Sequence, residues 1–293
     1  MIGRVILQYK VASEADGAGL CRAEDSELGR TVGLKFLPNG TGGDDNARKR
    51  FKRDTESVTQ LHHDNIPAIH GLYQTADGQS FIAMDYHEGE TIRQRLSHGP
   101  LDGDEAIRLI AQIADGLEQA HRAQVVHGGF TPDAVVITQD GVAKIIDFGL
   151  CDVVPAGLIQ SRDYMSPEQI RGEQLDARTD IFSFGIVCHE MLSGVHPFRA
   201  GQEASVEERI LREDPPRLSG EYELLDPIIQ KMLAKNRALR YASLEAVMRD
   251  IANLRTPAPV EHVARHQRQV TIALLVAIAA TVVVMVVLSF HNR

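Results

Sequence analysis

The chain has 293 residues, a formal net charge of -9 and 43% hydrophobic residues, enough for one large domain or a two-lobed body with a sizeable core. Its mild acidity leaves no basic footprint, which argues against nucleic acid as a partner. Three scattered cysteines, Cys21, Cys151 and Cys188, fit neither a disulfide framework nor a zinc site and suit a reducing compartment.

The opening run MIGRVILQYKV is too short for a secretory signal and reads as a strand. From Arg4 to Leu37, the stretches VILQYKV, GLCRAED and RTVGLKFL are rich in β-branched or aromatic residues between Gly or acidic turns, so three antiparallel strands are expected. NGTGGDDN at 39–46 is a polar loop, and residues 47–61, with Phe51, Val58 and Leu61 near helical spacing, predict an amphipathic helix. HGLYQT and QSFIAMDY, joined by Asp77-Gly78, predict a hairpin. Residues 1–86 therefore read as a five-stranded sheet with one helix.

After Glu88-Gly89 the periodicity turns helical. Residues 105–123 place Ile107, Ile110, Ile113, Ala114, Leu117 and Ala120 on one broad face, the stripe of a helix buried in an α-rich lobe. Short strands are predicted at 135–138 and 143–146, around the turn Asp140-Gly141. Residues 181–192 are apolar nearly all round and predict a central buried helix, with further helices at 205–212, 224–234 and 244–254. The segment 256–269, with Pro257 and Pro259, reads as a tether. Residues 270–290 form an uncharged run of 21, enough to cross a hydrocarbon core of ~30 Å as a helix. Arg255, Arg265 and Arg268 lie on the domain side of this run against Arg293 beyond it, which predicts a domain on the cytoplasmic face and a tail, 291–293, on the far side. Ala273 and Ala277 form a small-xxx-small pair that would suit a homodimer, though alanine-rich spans produce such pairs by chance.

Seven stretches recur in a familiar order: VGLKFL at 32–37, FIAMDYHEGET at 81–91, HGGFTPDAV at 127–135, DFG at 147–149, YMSPEQ at 164–169, DIFSFG at 180–185 and Arg240-Tyr241. Over residues 9–254 the chain thereby resembles the eukaryotic-type Ser/Thr protein kinases, most similar in wording to the bacterial membrane-bound ones. The resemblance implies an α+β bilobal fold. A β-rich N-lobe would occupy residues 1–86 and an α-rich C-lobe residues 87–254, with a linker at 255–269 and a transmembrane helix at 270–290. The setting it implies is a bacterial inner membrane.

It also implies ATP and magnesium as cofactors, residue by residue. Lys35 falls at the third-strand lysine that pairs with the α- and β-phosphates; its helix partner is Asp54 or, on a shifted helix, Glu56. Ser13, Ala15 and Ala18 take the three glycine positions of the phosphate loop and Leu20 its valine, while Gly17 and Gly19 lie out of frame and Glu14 and Asp16 would repel ATP. Met84 is the gatekeeper, and Asp85 to His87 form the hinge whose backbone would hold adenine between Leu20, Gly33 and Val136. Asp147 stands at the magnesium carboxylate, with two readings open: ligand or vestige. His127, Phe148 and Asp180 match residues that join the lobes, and Glu168 with Arg240 a buried ion pair.

The catalytic loop departs from the family. Against H-R-D-L-K-P-E-N, the aspartate that takes or orients the substrate proton is Gly129, the lysine that meets the γ-phosphate is Thr131 and the asparagine that holds a second magnesium is Ala134. No catalytic residue is assigned. Gly128 replaces the arginine that would clasp an activation-loop phosphate, and the segment from the metal loop to the start of YMSPEQ has no threonine and only Ser161 and Tyr164 as hydroxyls. The expectation is a membrane-anchored pseudokinase acting as a scaffold, a regulator or a weak nucleotide-binding module, with other kinases or their substrates as protein partners. The alternative is an atypical active Ser/Thr kinase that transfers the ATP γ-phosphate to protein hydroxyls.

Overall fold

Alternating side chains build the first layer. Strands β1 (Val5–Ile6), β2 (Tyr9–Ala15), β3 (Cys21–Asp25), β4 (Arg30–Phe36), β5 (Ile69–Gln74) and β6 (Ser80–Asp85) form one antiparallel sheet in the order β1-β2-β3-β4-β6-β5. Because successive residues point to opposite faces, Tyr9, Val11, Cys21, Ala23, Val32, Leu34, Phe81 and Ala83 pack together on one side. Leu20, Ile82 and Met84 pack on the other, with Ala18, Leu37, Val136 and Ile146. Lys35 pairs with Ile82 in the β4–β6 register and so belongs to that second face.

The structure, a computed structural model, describes residues 2–38, 57, 59–148, 162–199 and 204–255. Two units divide the chain, Met1–Ile251 and Ala252–Arg293, and only residues 252–255 of the second are described. Most of the predicted helix at 47–61, with Asp54 and Glu56, lies outside the described residues, as do Gly149, Cys151, Ser161 and the whole run 270–290 with Ala273 and Ala277. Among the described residues no helix is long and apolar enough to cross a membrane.

The sheet has six strands where five were expected. The stretch VILQYKV does not run straight: it folds back at Leu7, whose φ is +52°, to give the two-residue β1 paired with β2. A left-handed leucine carries no turn signature of the Gly or Asn kind, which hides the break.

Below the sheet, β7 (Gly89–Thr91), β8 (Val135–Thr138) and β9 (Ala143–Ile145) form a second, three-stranded antiparallel sheet. Helices α1 (Ile92–Leu96), α2 (Gly103–Arg122), α3 (Pro167–Ile170), α4 (Ala177–Ser193), α5 (Val206–Arg212), α6 (Asp226–Met232) and α7 (Leu244–Arg255) complete the described chain. Helix α2 buries Ala106, Leu109, Ile110, Ile113, Ala114, Gly116, Leu117 and Ala120; Ile107 is only half-buried at its margin. Nearly every residue of α4 is buried, as the nearly all-round apolar composition of residues 181–192 predicts. Capping boxes start α1 (Thr91 with Gln94), α3 (Ser166 with Gln169) and α5 (Ser205 with Glu208), each satisfying backbone donors left free by the first turn. The helix expected at 224–234 begins only at Asp226, after a 3-10 turn over Gly220–Leu225; Pro227 at its first turn favours that later start.

Candidate functional site

The two sheets meet at the junction where the family carries its cleft, and the chain supplies its residues from well-separated segments. Lys35, 8% exposed, projects from β4 and its Nζ donates to Asp147 Oδ2 at 2.9 Å and to the Ala18 carbonyl at 2.6 Å. Asp147 adopts φ +69°, a conformation an aspartate tolerates at a cost, and its other oxygen, Oδ1, is buried without a hydrogen-bond partner. A buried orphan acceptor is expensive, and one carboxylate oxygen directed into a cleft beside a lysine suits a hard cation such as magnesium. Among the described residues no group of three metal-ligating side chains converges.

The floor and roof of the cleft are apolar. Leu20 and Met84 from the upper sheet, Val136 from β8 and Ile146 pack in one cluster with Ala18. Gly33 lies opposite Met84 in the sheet. A Cβ at Gly33 would sit in ordinary contact with Tyr86 and Leu20, at 3.5 and 3.6 Å. The predicted purine-facing residues Leu20, Gly33, Met84 and Val136 are thus brought together. In the hinge, Asp85 N donates to the Ala68 carbonyl, so that amide is already engaged, and Asp85 also meets His70 at 2.9 Å. Burial holds the His87 imidazole below its usual pKa, which keeps that hinge residue neutral.

The catalytic-loop stretch is rigidly held by its backbone. Asp180, buried on α4, accepts from His127 N and Gly128 N, both at 2.8 Å, and from His121 Nε2 at 2.7 Å. Burial alone would raise the Asp180 carboxyl, but these donors, with His121 foremost, hold it below the usual range. His127 lies against Phe148 with ring centroids 4.8 Å apart and planes tilted by 51°, and donates from Nε2 to the Ile146 carbonyl at 2.8 Å. Its Nδ1 accepts from Gly129 N at 3.3 Å. Burial lowers its pKa, so the ring is neutral and serves as a joint.

At the position of the family's base, a Cβ on Gly129 would meet no atom within 4 Å. The space for a side chain exists, and the side chain does not. Asp133, the one carboxylate of the stretch 127–134, is drawn away to Arg93 Nε at 3.4 Å. Arg93 itself ties α1 to Glu190 at 3.2 Å and to the Tyr164 hydroxyl at 2.7 Å, and Tyr164 in turn donates to Glu190.

Glu168 and Arg240 form the expected buried pair, at 2.7 and 2.9 Å. Two features of the site escape a side-chain reading of the sequence: the Ala18 carbonyl on Lys35 and the Arg93 network. The first is a backbone group, and the second joins segments far apart in sequence.

Residues 18–251 match the protein kinase domain family. The chain is 32% identical over 278 residues to the serine/threonine-protein kinase PknL of Mycobacterium tuberculosis, covering 87% of this chain and 69% of that relative. It is 31% identical over 259 residues to PknB of the same organism, covering 82% of this chain and 41% of PknB. Its fold superposes on the kinase domain of Mycobacterium tuberculosis PknI with a TM-score of 0.70 at 25% identity, over 86% of this chain and 98% of that one. On this match and these homologues, the chain belongs to the protein kinase domain family and is a bacterial-type Ser/Thr kinase homologue with a bilobal fold.

Proposed function

We propose that this chain is a pseudokinase, a kinase-fold regulatory module that does not transfer phosphate and presents its two lobes to a protein partner, another kinase or its substrate. One observation carries the reading: Gly129 offers no group to accept or orient a proton, and the neighbouring Asp133 is committed to Arg93. Loss of a positioned base costs about 10²–10⁴-fold. Thr131 and Ala134 remove two further groups that would handle phosphate and metal.

Nucleotide binding stands apart from transfer. Lys35 and Asp147 retain the charges that would face phosphates and a magnesium ion, and Leu20, Met84 and Val136 with the Asp85–His87 backbone would receive adenine. The family's chemistry would come from the ATP γ-phosphate; these residues would only hold and orient it. Attachment to a membrane through 270–290, with the domain in the cytoplasm, belongs to the same proposal and rests on the apolar run and its flanking arginines.

A second reading, an atypical active Ser/Thr kinase, is supported by the relatives, which are named serine/threonine-protein kinases, and by the retained Lys35 and Asp147. The relatives favour it over the first. Phosphate incorporation by the purified full chain with ATP and magnesium, using Asp147→Ala as control, separates the two. Background incorporation in both forms is expected; turnover that Asp147→Ala abolishes would establish the second reading.

A further inference from the structure

The segment after β2 does more than border the cleft. Asp16 Oδ1 accepts from Ala18 N and Leu20 N, both at 2.9 Å, and the Asp16 carbonyl accepts from Gly19 N at 2.9 Å while its amide donates to the Leu20 carbonyl at 3.0 Å. One aspartate therefore closes a tight turn on itself. Gly19 takes φ +72° within it, a conformation that glycine adopts freely.

This turn is pressed inward at three points. Gly17 lies so close to α1 that a Cβ there would overlap the Gln94 amide, and Gln94 is fixed from below because its Oε1 accepts from Thr91 N at 2.8 Å. Ala18 is buried among Leu20, Met84, Val136 and Ile146, the side chains that would sandwich a purine. Its carbonyl takes the Lys35 amine at 2.6 Å, the cation that would meet phosphate oxygens. The turn thus engages α1, floor and lysine together.

We infer that Asp16–Gly19 is a built-in occupant of the nucleotide cleft, latched shut by the Asp16 carboxylate that closes the turn, so that a nucleotide enters only when this turn swings away. The inference rests on reading the Lys35–Asp147 cleft as a nucleotide site and adds its regulation. A partner that pulls the turn outward would then switch nucleotide access without touching the catalytic loop.

The test combines hydrogen–deuterium exchange over residues 15–20 with titration of the fluorescent nucleotide MANT-ATP plus magnesium, on the full chain and its variants. The wild-type amides of Ala18 and Leu20 are expected to exchange slowly. Asp16→Ala, which removes the turn closure, is expected to speed their exchange and tighten MANT-ATP about fivefold, roughly what one lost hydrogen bond is worth, while Asp16→Asn, which keeps the acceptor and loses the charge, should fall between wild type and Asp16→Ala.

Fast exchange at Ala18 and Leu20 in the wild type would overturn the latch. So would freed amides in Asp16→Ala without tighter binding. Equal tightening by Asp16→Asn and Asp16→Ala with slow exchange kept in Asp16→Asn would replace the latch by simple charge repulsion. If Lys35→Met binds MANT-ATP as tightly as the opened variants, the nucleotide-site reading fails instead, and the exchange data still decide whether the turn is closed.

Discussion

Lys35 and Asp147, 112 positions apart in sequence, meet at 2.9 Å across the cleft. Lys35 arrives on β4 through the alternation of the sheet and Asp147 on a left-handed backbone just past β9, so the pair joins the upper and lower sheets. Asp147 Oδ1 already lacks a partner. Lys35→Met would leave the second oxygen unpaired as well, and is expected to destabilise the chain by about 1–3 kcal/mol, the cost of a stranded buried acceptor. Asp147→Asn, which keeps an oxygen for the lysine, should lose less. Urea unfolding of both variants checks the order, and equal midpoints for Lys35→Met and wild type would show that the pair does not tie the sheets.

Restoring the family's base is a sharper probe of the proposed absence of transfer. Because a Cβ at Gly129 meets open space, Gly129→Asp is expected to unfold within about 0.5 kcal/mol of wild type, as substitutions free of packing or polar conflict do. Its phosphate incorporation should stay at background, since Thr131 and Ala134 still lack the family's lysine and asparagine chemistry. The triple variant Gly129→Asp, Thr131→Lys, Ala134→Asn is expected to rise by about 10²-fold, the low end of what a positioned proton acceptor contributes. A wild-type chain already as active as the triple variant would defeat the explanation.

The residues whose placement follows from local pattern were the legible ones. Period-two alternation sends Lys35, Ile82 and Met84 to one face of the upper sheet, and the apolar monotony of residues 181–192 demands a buried helix, found at Ala177–Ser193. Glu168 and Arg240, recognised through the family's wording, meet as expected. What stayed hidden depends on backbone atoms and on long-range closure. The Ala18 carbonyl has no identity in a sequence, and the use of Gly17 for a close approach to Gln94 appears only once α1 is placed beneath it. The fold-back at Leu7 was hidden for a related reason, because a leucine does not announce a left-handed turn. The Arg93 bridge to Asp133, Glu190 and Tyr164 spans 40 to 97 positions and follows from no periodicity.

The buried pair of α3 with the segment before α7 should dominate the stability of the helical lobe. Arg240 contacts Glu168 through two parallel bonds, and Thr179 Oγ1 adds a third to the same carboxylate at 2.9 Å. Burial would raise the Glu168 carboxyl, yet Arg240 holds it below its usual pKa, so it stays charged near neutrality. Glu168→Ala strands a buried guanidinium and is expected to cost about 3–5 kcal/mol, whereas the apolar double variant Glu168→Leu, Arg240→Met should recover much of that loss. Urea midpoints of the two variants measure it; a double variant no better than Glu168→Ala would mean that packing, and not the stranded charge, sets the cost.

Acid sensitivity should arise from His196, which lies between α4 and α5. Its Nδ1 accepts from Phe198 N at 3.1 Å and its Nε2 donates to the Asp163 carbonyl at 3.1 Å, so the neutral ring uses both nitrogens and a second proton would expel the Phe198 amide. Burial pushes its pKa down to about 4, against an unfolded value of about 6.5. Between those values the unfolded chain binds more protons than the folded one, and folding stability therefore falls as the pH drops from about 6.5 toward about 4. His196→Asn keeps a donor and an acceptor without the titration. Its unfolding free energy is expected to start lower at pH 7, from imperfect packing, and to fall less between pH 7 and pH 5 than wild type. Denaturant titrations at several pH values measure both slopes, and parallel slopes for the two proteins would assign the acid sensitivity to the other buried histidines, among them His127 and His189, whose pKa values burial also lowers.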